Sequence, residues 1–261
     1  MPEIHPTAIV DPSAQLEPSV VVGPYCIVGP EVTVGAGTRL IAHVHLQGPL
    51  TLGKDNTLYP YAVLGGPAQD LKVDPDEPGA GLVVGDGNFF REGATINRAT
   101  LEAPTRLGSH NYFMANTHAG HDCQVGHHCI LANGAVLGGH VTLGDRVILG
   151  GNAGIAQFTR VGRLTMIAGA EGVTLDVPPF CMVHHTRQVS ALNLVGLRRA
   201  GYRDHIANLR SAFDLLYREG HTTPNAAQMI LDQFDDDPIC REFGQFVADA
   251  ERGVTQYGQY K

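Results

Sequence analysis

Hydrophobic residues recur at every sixth position along most of this chain. The series runs without a slip through residues 4–64, 84–96 and 107–173. A six-residue period fits neither an α-helix, which repeats about every 3.6 residues, nor a β-strand, which repeats every two. It is typical of a coil in which each hexad forms one side and three hexads close a triangular turn.

The residue two positions before each hydrophobic one is mostly small or apolar, as at Ala8, Cys26 and Ala135, so both positions face inward. Strands of successive coils then pair about 4.8 Å apart and share one core. We therefore predict a β fold, a parallel β-helix. Glycine often follows the inward residue directly, as at Gly126 and Gly138. Because glycine adopts positive φ at no steric cost, we predict that it forms the corners.

The period is interrupted twice, at about 65–82 and at about 97–106. The first interruption contains Gln69, Asp70 and Lys72. Loops that leave a regular β-helix usually contact a ligand or a neighbouring subunit. We expect both loops to contact a ligand or a neighbouring subunit. The alternative is that they are Pro/Gly-rich excursions without a function.

The C-terminal part has a different pattern. Beyond Pro178 and Pro179 the six-residue signal stops and helical spacing replaces it. One apolar face is formed by Ile206, Leu209, Phe213, Leu216 and Tyr217, and it ends at Gly220. We predict a β-helix over residues 1–186 and an α-helical domain over 187–261.

Two more helix starts are visible downstream. Thr223 with Pro224 has the form of an N-cap followed by proline in the first turn, and Asp237 with Pro238 repeats it. The last helix is predicted to end near Gly253.

Composition excludes some classes of function. The net charge of −8 argues against a nucleic-acid binder, because phosphate contacts need clustered cations. No segment resembles a signal peptide or reaches the roughly 18 apolar residues of a membrane span, so we expect a soluble cytoplasmic protein.

A local cluster of Arg187, Arg198, Arg199 and Arg203 could receive an acidic partner or a phosphate. Cys26, Cys123 and Cys129 fall in the inward register, and we interpret them as buried thiols.

Histidines are the strongest chemical signal. Six of the thirteen lie between His110 and His140. His121 follows an inward residue by two positions and His140 by three, so both point outward. Because 18 residues make one coil, His140 should lie one coil above Asp122, about 5 Å away. An imidazole beside a carboxylate is a general-base arrangement, although a single outward histidine is more often only a solvated surface residue.

Metal binding is the competing explanation. Zinc-binding β-helices that resemble the γ-type carbonic anhydrases use the spacing His-x-x-x-x-His, and no two histidines here have it. His118 is followed five positions later by Cys123, but that cysteine faces inward. We expect no metal and no other cofactor.

These motifs resemble one family over nearly the whole chain. The segments 118–126, 129–133 and 138–141 are similar to the acyl-carrier-protein-dependent UDP-N-acetylglucosamine O-acyltransferases that open lipid A synthesis. Further matches are residues 69–72, 176–179, Asn193 and 196–199. The resemblance implies a left-handed coil and a homotrimer with sites between adjacent subunits.

The resemblance also implies an activity. A 3-hydroxyacyl group passes from acyl carrier protein to the 3-hydroxyl of the GlcNAc moiety of UDP-GlcNAc, without a metal. By match, His121 is the general base, Asp122 orients its imidazole, and the backbone N–H of Gly139 serves the oxyanion. The implied substrate contacts are Gln69, Asp70, Lys72, His118, His140, Gln157, Gly169, Asn193, Arg198 and Arg199, of which Gly169 lines an acyl groove and Asn193 and Arg199 meet the nucleotide.

Three positions depart from the family pattern. Asn97 and Ala156 stand where the family usually has histidine, and Val195 lies where an acidic residue is expected. All three positions belong to the nucleotide-sugar side in the family. A modified UDP-sugar, such as a 3-amino analogue that would be N-acylated, is therefore the alternative acceptor. A scaffold β-helix without activity is the non-enzymatic alternative.

Overall fold

The protein folds as a left-handed parallel β-helix with C-terminal helices, and the predicted fold class is confirmed. The structure, a computed structural model, describes residues 1–184 and 187–258. Its strands are β1 Glu3–Ile4, β2 Ile9–Val10, β3 Gln15–Leu16, β4 Val21–Val22, β5 Ile27–Val28, β6 Val32–Val34, β7 Arg39–Leu40, β8 His45–Leu46, β9 Leu50–Leu52, β10 Thr57–Leu58, β11 Val63–Gly66, β12 Leu82–Val84, β13 Phe89–Phe90, β14 Thr95–Asn97, β15 Thr105–Leu107, β16 Tyr112–Phe113, β17 His118–Ala119, β18 Gln124–Val125, β19 Ile130–Leu131, β20 Val136–Leu137, β21 Thr142–Leu143, β22 Ile148–Leu149, β23 Gly154–Ile155, β24 Arg160–Val161, β25 Met166–Ile167, β26 Gly172–Val173, β27 Cys181–Val183 and β28 Val189–Leu192.

As far as β26, every third strand belongs to the same sheet. The first sheet runs from β1 through β4 and β7 to β28, the second from β2 to β26, and the third from β3 to β24. Inward residues stack in register, as Phe113, Leu131 and Leu149 do in the first sheet. All three are fully buried, so one apolar column runs through successive coils. The two interruptions leave as loops after β11 and β14 without changing this register.

The corner geometry differs from the prediction. Positive φ falls on the third residue after the inward one, for example Asp122 and His140, both at φ 60. The prediction that the glycines directly after the inward residue supply positive φ was wrong. A Cβ at Gly138 would lie 2.7 Å from the backbone nitrogen of Gln157, so glycine there serves the close approach of the next coil.

The outer faces of the three sheets differ in polarity. The third sheet presents polar residues outward, among them Thr33, Thr51, Arg106, Gln124 and Thr142. The first sheet presents Phe89, Tyr112, Ile130, Ile148 and Met166, and the second presents Ile9, Ile27, Val63 and Val136. Outward apolar residues are therefore concentrated on two of the three faces.

The two ends of the β-helix are unlike. At the N-terminal end, both residues of β1 are exposed. At the other end, β27 still pairs in parallel with β25, and β28 turns back antiparallel to β27. The helices therefore begin after β28 rather than at residue 187, because this extra strand carries no six-residue period by which it could be recognised.

The helical part contains α1 Leu194–Arg199, a 3-10 turn Arg203–His205, α2 Ile206–Tyr217, α3 Thr223–Gln233 and α4 Pro238–Ala248. The N-cap of α3 is Thr222 rather than Thr223. Asp237 caps α4 as predicted, its carboxylate accepting from the N–H groups of Ile239 and Cys240. Helix α4 ends at Ala248, before the predicted Gly253. No helix of the described residues is long and apolar enough to span a membrane.

Candidate active site

The two loops that interrupt the coils lie beside each other. The first covers residues 67–81, between β11 and β12, and the second covers 98–104, between β14 and β15. They are joined where the N–H groups of Ala99 and Thr105 donate to the carbonyl of Gly81, at 3.0 and 3.2 Å. Together they form a wall that rises beside the second sheet.

A cleft of about 720 Å³ opens between this wall and the second sheet. Its lining includes seven of the residues predicted from the sequence, namely Gln69, Asp70, Lys72, His118, His121, Gly139 and Gln157. Asn97, one of the departures from the family pattern, also lines it. The first loop supplies one side of the cleft, and β17, β20 and the corners that follow them supply the other.

His121 and Asp122 form a close pair at this cleft. Nδ1 of His121 lies 2.7 Å from Oδ2 of Asp122, a hydrogen-bond distance. The pair lies at the corner after β17, because the left-handed φ of Asp122 turns its carboxylate back toward its neighbour. With Nδ1 engaged in this way, Nε2 of His121 is the nitrogen left to face a ligand.

Asp122 is held by the second loop. The hydroxyl of Thr100 donates to Oδ2 at 2.7 Å, and the N–H groups of Thr100 and Leu101 donate to Oδ1 at 3.1 and 3.2 Å. Burial alone would raise the pKa of this carboxyl, but the hydrogen bonds from His121 and from the loop outweigh it. The pKa of Asp122 is therefore below its usual value, and the carboxylate stays charged. No period marked Thr100 or Leu101, so the sequence did not reveal them.

His140 lies one coil above this pair, as the 18-residue spacing predicted. Its ring centre is 5.0 Å from that of His121, and its Nε2 is 3.7 Å from Oδ2 of Asp122. The His140 ring also stacks on Phe158, with centres 4.5 Å apart and planes 8° apart. Phe158 thus helps to fix the plane of this imidazole.

His121, Asp122 and His140 also have the residue types that bind metal ions. One donor atom from each of His121, Asp122 and His140 lies within 4.8 Å of the others, although no His-x-x-x-x-His spacing exists. Ligands of a tetrahedral zinc ion stand about 3.3 Å apart, given bonds of about 2.0–2.1 Å. The 2.7 Å between Nδ1 of His121 and Asp122 is instead a hydrogen bond. The cluster therefore has the geometry of an acid–base pair.

His118 and Gly139 complete the surroundings of His121. The His118 Nδ1 is 2.8 Å from the hydroxyl of Thr95. Burial lowers the pKa of His118, and the nearby His121 lowers it further, which favours a neutral ring. A Cβ at Gly139 would lie 2.6 Å from Nε2 of His121, so glycine keeps that nitrogen open. In the part of the chain that the structure describes, the Gly139 N–H donates no hydrogen bond.

Known proteins are similar in sequence over nearly the whole chain. A model described as UDP N-acetylglucosamine O-acyltransferase, domain 2, matches residues 176–255, and a bacterial transferase hexapeptide model matches residues 104–139. An acyl-[acyl-carrier-protein]–UDP-N-acetylglucosamine O-acyltransferase of Anaeromyxobacter sp. (strain Fw109-5) is 42% identical, covering 97% of this chain and 99% of the relative. The chain belongs to the UDP-N-acetylglucosamine O-acyltransferase family.

Solved structures of the family agree in fold. The UDP-N-acetylglucosamine O-acyltransferase of Moraxella catarrhalis superposes with a TM-score of 0.93 at 35% identity, covering 97% of this chain and 99% of that one. The UDP-N-acetylglucosamine acyltransferase of Francisella novicida gives 0.93 at 32% identity, covering 98% and 94%. The family's architecture is therefore present from end to end.

Six of the residues matched to the family are not among those that line the cleft of the single chain. Asp122 and His140 lie next to His121, and the other four lie elsewhere. Gly169 lies near Gly151, at the corner between the first and second sheets. Asn193 is buried and caps α1: it accepts from the N–H of Gly196 and donates to the carbonyl of Leu164 at 2.8 Å. Arg198 and Arg199 lie in the last turn of the same helix.

Arg198 borders a second, basic pocket of about 560 Å³, which it shares with Arg203, Ile206, Ala207 and Arg210. Of the three departures from the family pattern, only Asn97 lines the cleft. Ala156 is not among the lining residues, and Val195 is 55% exposed on α1.

We expect Asp122→Asn to weaken folding in a pH-dependent way. The folded pKa of Asp122 is below the unfolded value, so the charged carboxylate stabilises the folded state. This stabilisation is fully present above about pH 4 and is lost as pH falls through the folded pKa. At pH 7 the variant should unfold about 1–3 kcal/mol more easily, since buried donors lose a charged acceptor. Urea unfolding between pH 3 and 7 measures this difference.

The matched control is Asp145→Asn, an exposed aspartate that also accepts a backbone N–H at the next corner. We expect the control to follow the parent protein. A destabilisation of Asp122→Asn that stays constant from pH 7 to pH 3 would contradict the role given to the charge.

Proposed function

We propose that this chain transfers a 3-hydroxyacyl group from the thioester of acyl carrier protein to the 3-hydroxyl of UDP-N-acetylglucosamine, the first step of lipid A biosynthesis. The observation that carries the proposal is the pair of His121 and Asp122, 2.7 Å apart, at a cleft large enough for a nucleotide sugar. The fold alone would not suffice, because function depends on the site.

In the proposed reaction, Nε2 of His121 takes the proton of the sugar 3-hydroxyl while Asp122 stabilises the imidazolium that forms. The sugar oxygen attacks the thioester carbonyl and forms a C–O bond, and the carbonyl oxygen becomes an oxyanion. The free N–H of Gly139 is the donor we assign to this oxyanion. The C–S bond then breaks, and the imidazolium returns its proton to the departing thiolate of the carrier.

Substrate contacts follow from the lining of the cleft. Gln69, Asp70 and Lys72 face His121 from the loop wall, where a carboxylate and an amide suit sugar hydroxyls and the lysine suits an anionic group. His118, His140 and Gln157 border the reacting centre from the β-helix. The outer face of the second sheet runs from here toward Gly169 past Gly154 and Gly172, and we assign this side-chain-poor strip to the acyl chain.

We propose that the active form is a homotrimer. The apolar outer faces of the first and second sheets support it, because a triangular prism with two apolar faces and one polar face packs around a three-fold axis with only the polar face exposed. Asn193 and Arg199 would then reach the nucleotide in a neighbouring subunit's cleft, which accounts for their separation from the cleft of their own chain.

The donor protein is proposed to dock at the basic pocket around Arg198 and Arg203. Acyl carrier protein is acidic, and this chain carries a net charge of −8, so a local cationic patch is needed to overcome the general repulsion. A cytoplasmic location belongs to the same proposal. All five cysteines are free and buried, a state typical of reducing compartments.

A 3-amino analogue of UDP-GlcNAc is the second candidate acceptor, and the specific observation in its favour is Asn97 in the cleft where the family has histidine. The test compares specificity constants for the two acceptors with the same acyl carrier protein donor. We expect the hydroxyl sugar to be preferred, because the residues around His121 follow the family. A preference of tenfold or more for the amino sugar, about 1.4 kcal/mol, would transfer the assignment to N-acylation.

Thermal unfolding with each ligand separates either enzyme from a scaffold. A ligand at about 100 times its dissociation constant stabilises the folded state by about 2.7 kcal/mol, whereas a scaffold does not respond to nucleotide sugars.

A further inference from the structure

The loop over residues 67–81 has little to hold it to the β-helix. None of residues 67–80 is buried, and Leu71, its large aliphatic residue, is fully exposed. Its internal hydrogen bonds are local, such as those from the N–H groups of Lys72 and Val73 to Asp70. Yet this segment supplies Gln69, Asp70 and Lys72 to the cleft. Something outside the loop must fix its position.

Arg98 lies beneath the loop and is buried, with 7% of its surface exposed. Its guanidinium donates to three carbonyls: one nitrogen to Gly65 at 3.2 Å, the other to Pro75 at 2.7 Å and to Glu77 at 3.0 Å. The Gly65 carbonyl lies in β11, just before the loop, and the Pro75 and Glu77 carbonyls lie on the far side of the loop. One side chain therefore ties the far side of the loop to the strand that precedes it, ten residues earlier in the sequence.

The partners of Arg98 are unusual for a buried cation. Among residues 1–184 and 187–258, no carboxylate lies within ion-pair distance of it. Its charge is thus compensated by carbonyl dipoles, and the loop supplies two of the three. The planar fork of arginine reaches carbonyls on both sides, which the single ammonium of lysine does not.

Asn97, the preceding residue, adds a second attachment. Its Nδ2 donates to the carbonyl of Pro67 at 2.7 Å and weakly to that of Gly66 at 3.4 Å. Both are carbonyls, so the amide must turn its N–H₂ toward them. Its Oδ1 is buried without a partner, so the residue contributes to the loop as a donor.

We propose that Asn97 and Arg98 are positioning residues that hold the loop 67–81 against the β-helix, so that Gln69, Asp70 and Lys72 face His121 across the cleft. The two residues act through the loop and not by contact with the reacting atoms. The asparagine that replaces the family's histidine thereby has a role of its own in this chain. The inference rests on the proposed function only for its kinetic readout.

The test uses Asn97→Asp, which exchanges the donor for an acceptor, and Arg98→Lys, which keeps the charge and loses the fork. The matched controls are Asn225→Asp and Arg241→Lys, exposed residues of α3 and α4. If Asn97→Asp does not fold, Asn97→Ala removes the donor without adding a buried charge.

Two measurements are made on the intact protein. We expect backbone hydrogen exchange in residues 68–80 to accelerate at least tenfold while exchange in β16, β19 and β22 is unchanged. For Arg98→Lys, the KM for UDP-GlcNAc should rise about tenfold with kcat within threefold of the parent, since the His121 and Asp122 pair is untouched. Asn97 itself lines the cleft, so its variants are judged by the exchange measurement.

Unchanged exchange in the loop would overturn the proposal, and so would faster exchange throughout the β-helix. Faster loop exchange with an unaltered KM would overturn the part that concerns the cleft. If the parent protein has no activity on UDP-GlcNAc, the proposed function fails, while the exchange measurement still decides whether Asn97 and Arg98 hold the loop.

Discussion

Replacing His121 with alanine should lower kcat by about 10²–10⁴ and leave the protein folded, because a positioned general base contributes about that factor. The side chain of His121 lies at the cleft, outside the column of inward residues, so its loss removes no core packing. Steady-state rates with UDP-GlcNAc and acyl carrier protein measure the first effect, and thermal unfolding measures the second.

The control for this variant is His127→Ala. His127 occupies the same position relative to an inward residue as His121, but at another corner and without a carboxylate on its ring. It should retain the parent rate. Activity of His121→Ala within threefold of the parent would remove His121 from the mechanism, and the proposal would then need another base.

The largest effect on folding is expected from Leu131→Asp. Leu131 is fully buried between Phe113 and Leu149 in the middle of the longest unbroken register. An unpaired carboxylate there costs several kcal/mol, against a total stability of about 5–15 kcal/mol for a typical domain. We expect no soluble folded protein on expression.

Thr142→Asp provides the comparison, because Thr142 points outward from the polar third sheet and is exposed. That variant should be soluble and melt close to the parent. Soluble Leu131→Asp with an unchanged melting temperature would show that the inward register is wrong.

The features that depend on the six-residue period could be predicted from the sequence. The inward register follows from it, and so does the stacking of His140 above Asp122, because coils of 18 residues place both at the same corner. The helix starts were nearly as accessible, since proline and a capping residue are local signals, as Asp237 shows.

Features without a period were not predictable. The donors that Thr100 and Leu101 give to Asp122 depend on the path of a loop, and so do the ties from Arg98 to its carbonyls. The location of positive φ was misjudged because glycine has two uses, conformational freedom and small size. At Gly138 the second is the relevant one.

The difference between the two ends of the β-helix determines the order in which its coils unfold. In a solenoid each coil is stabilised only by its neighbours, so opening starts where a neighbour is missing. β1 is exposed, whereas β28 and the helices cover the opposite end. Five coils, begun by β1, β4, β7, β10 and β13, precede the coil that carries His121. Local unfolding from the exposed end must therefore unfold all five coils before it reaches His121. The amino-terminal coils thus protect the geometry of the catalytic pair from fraying.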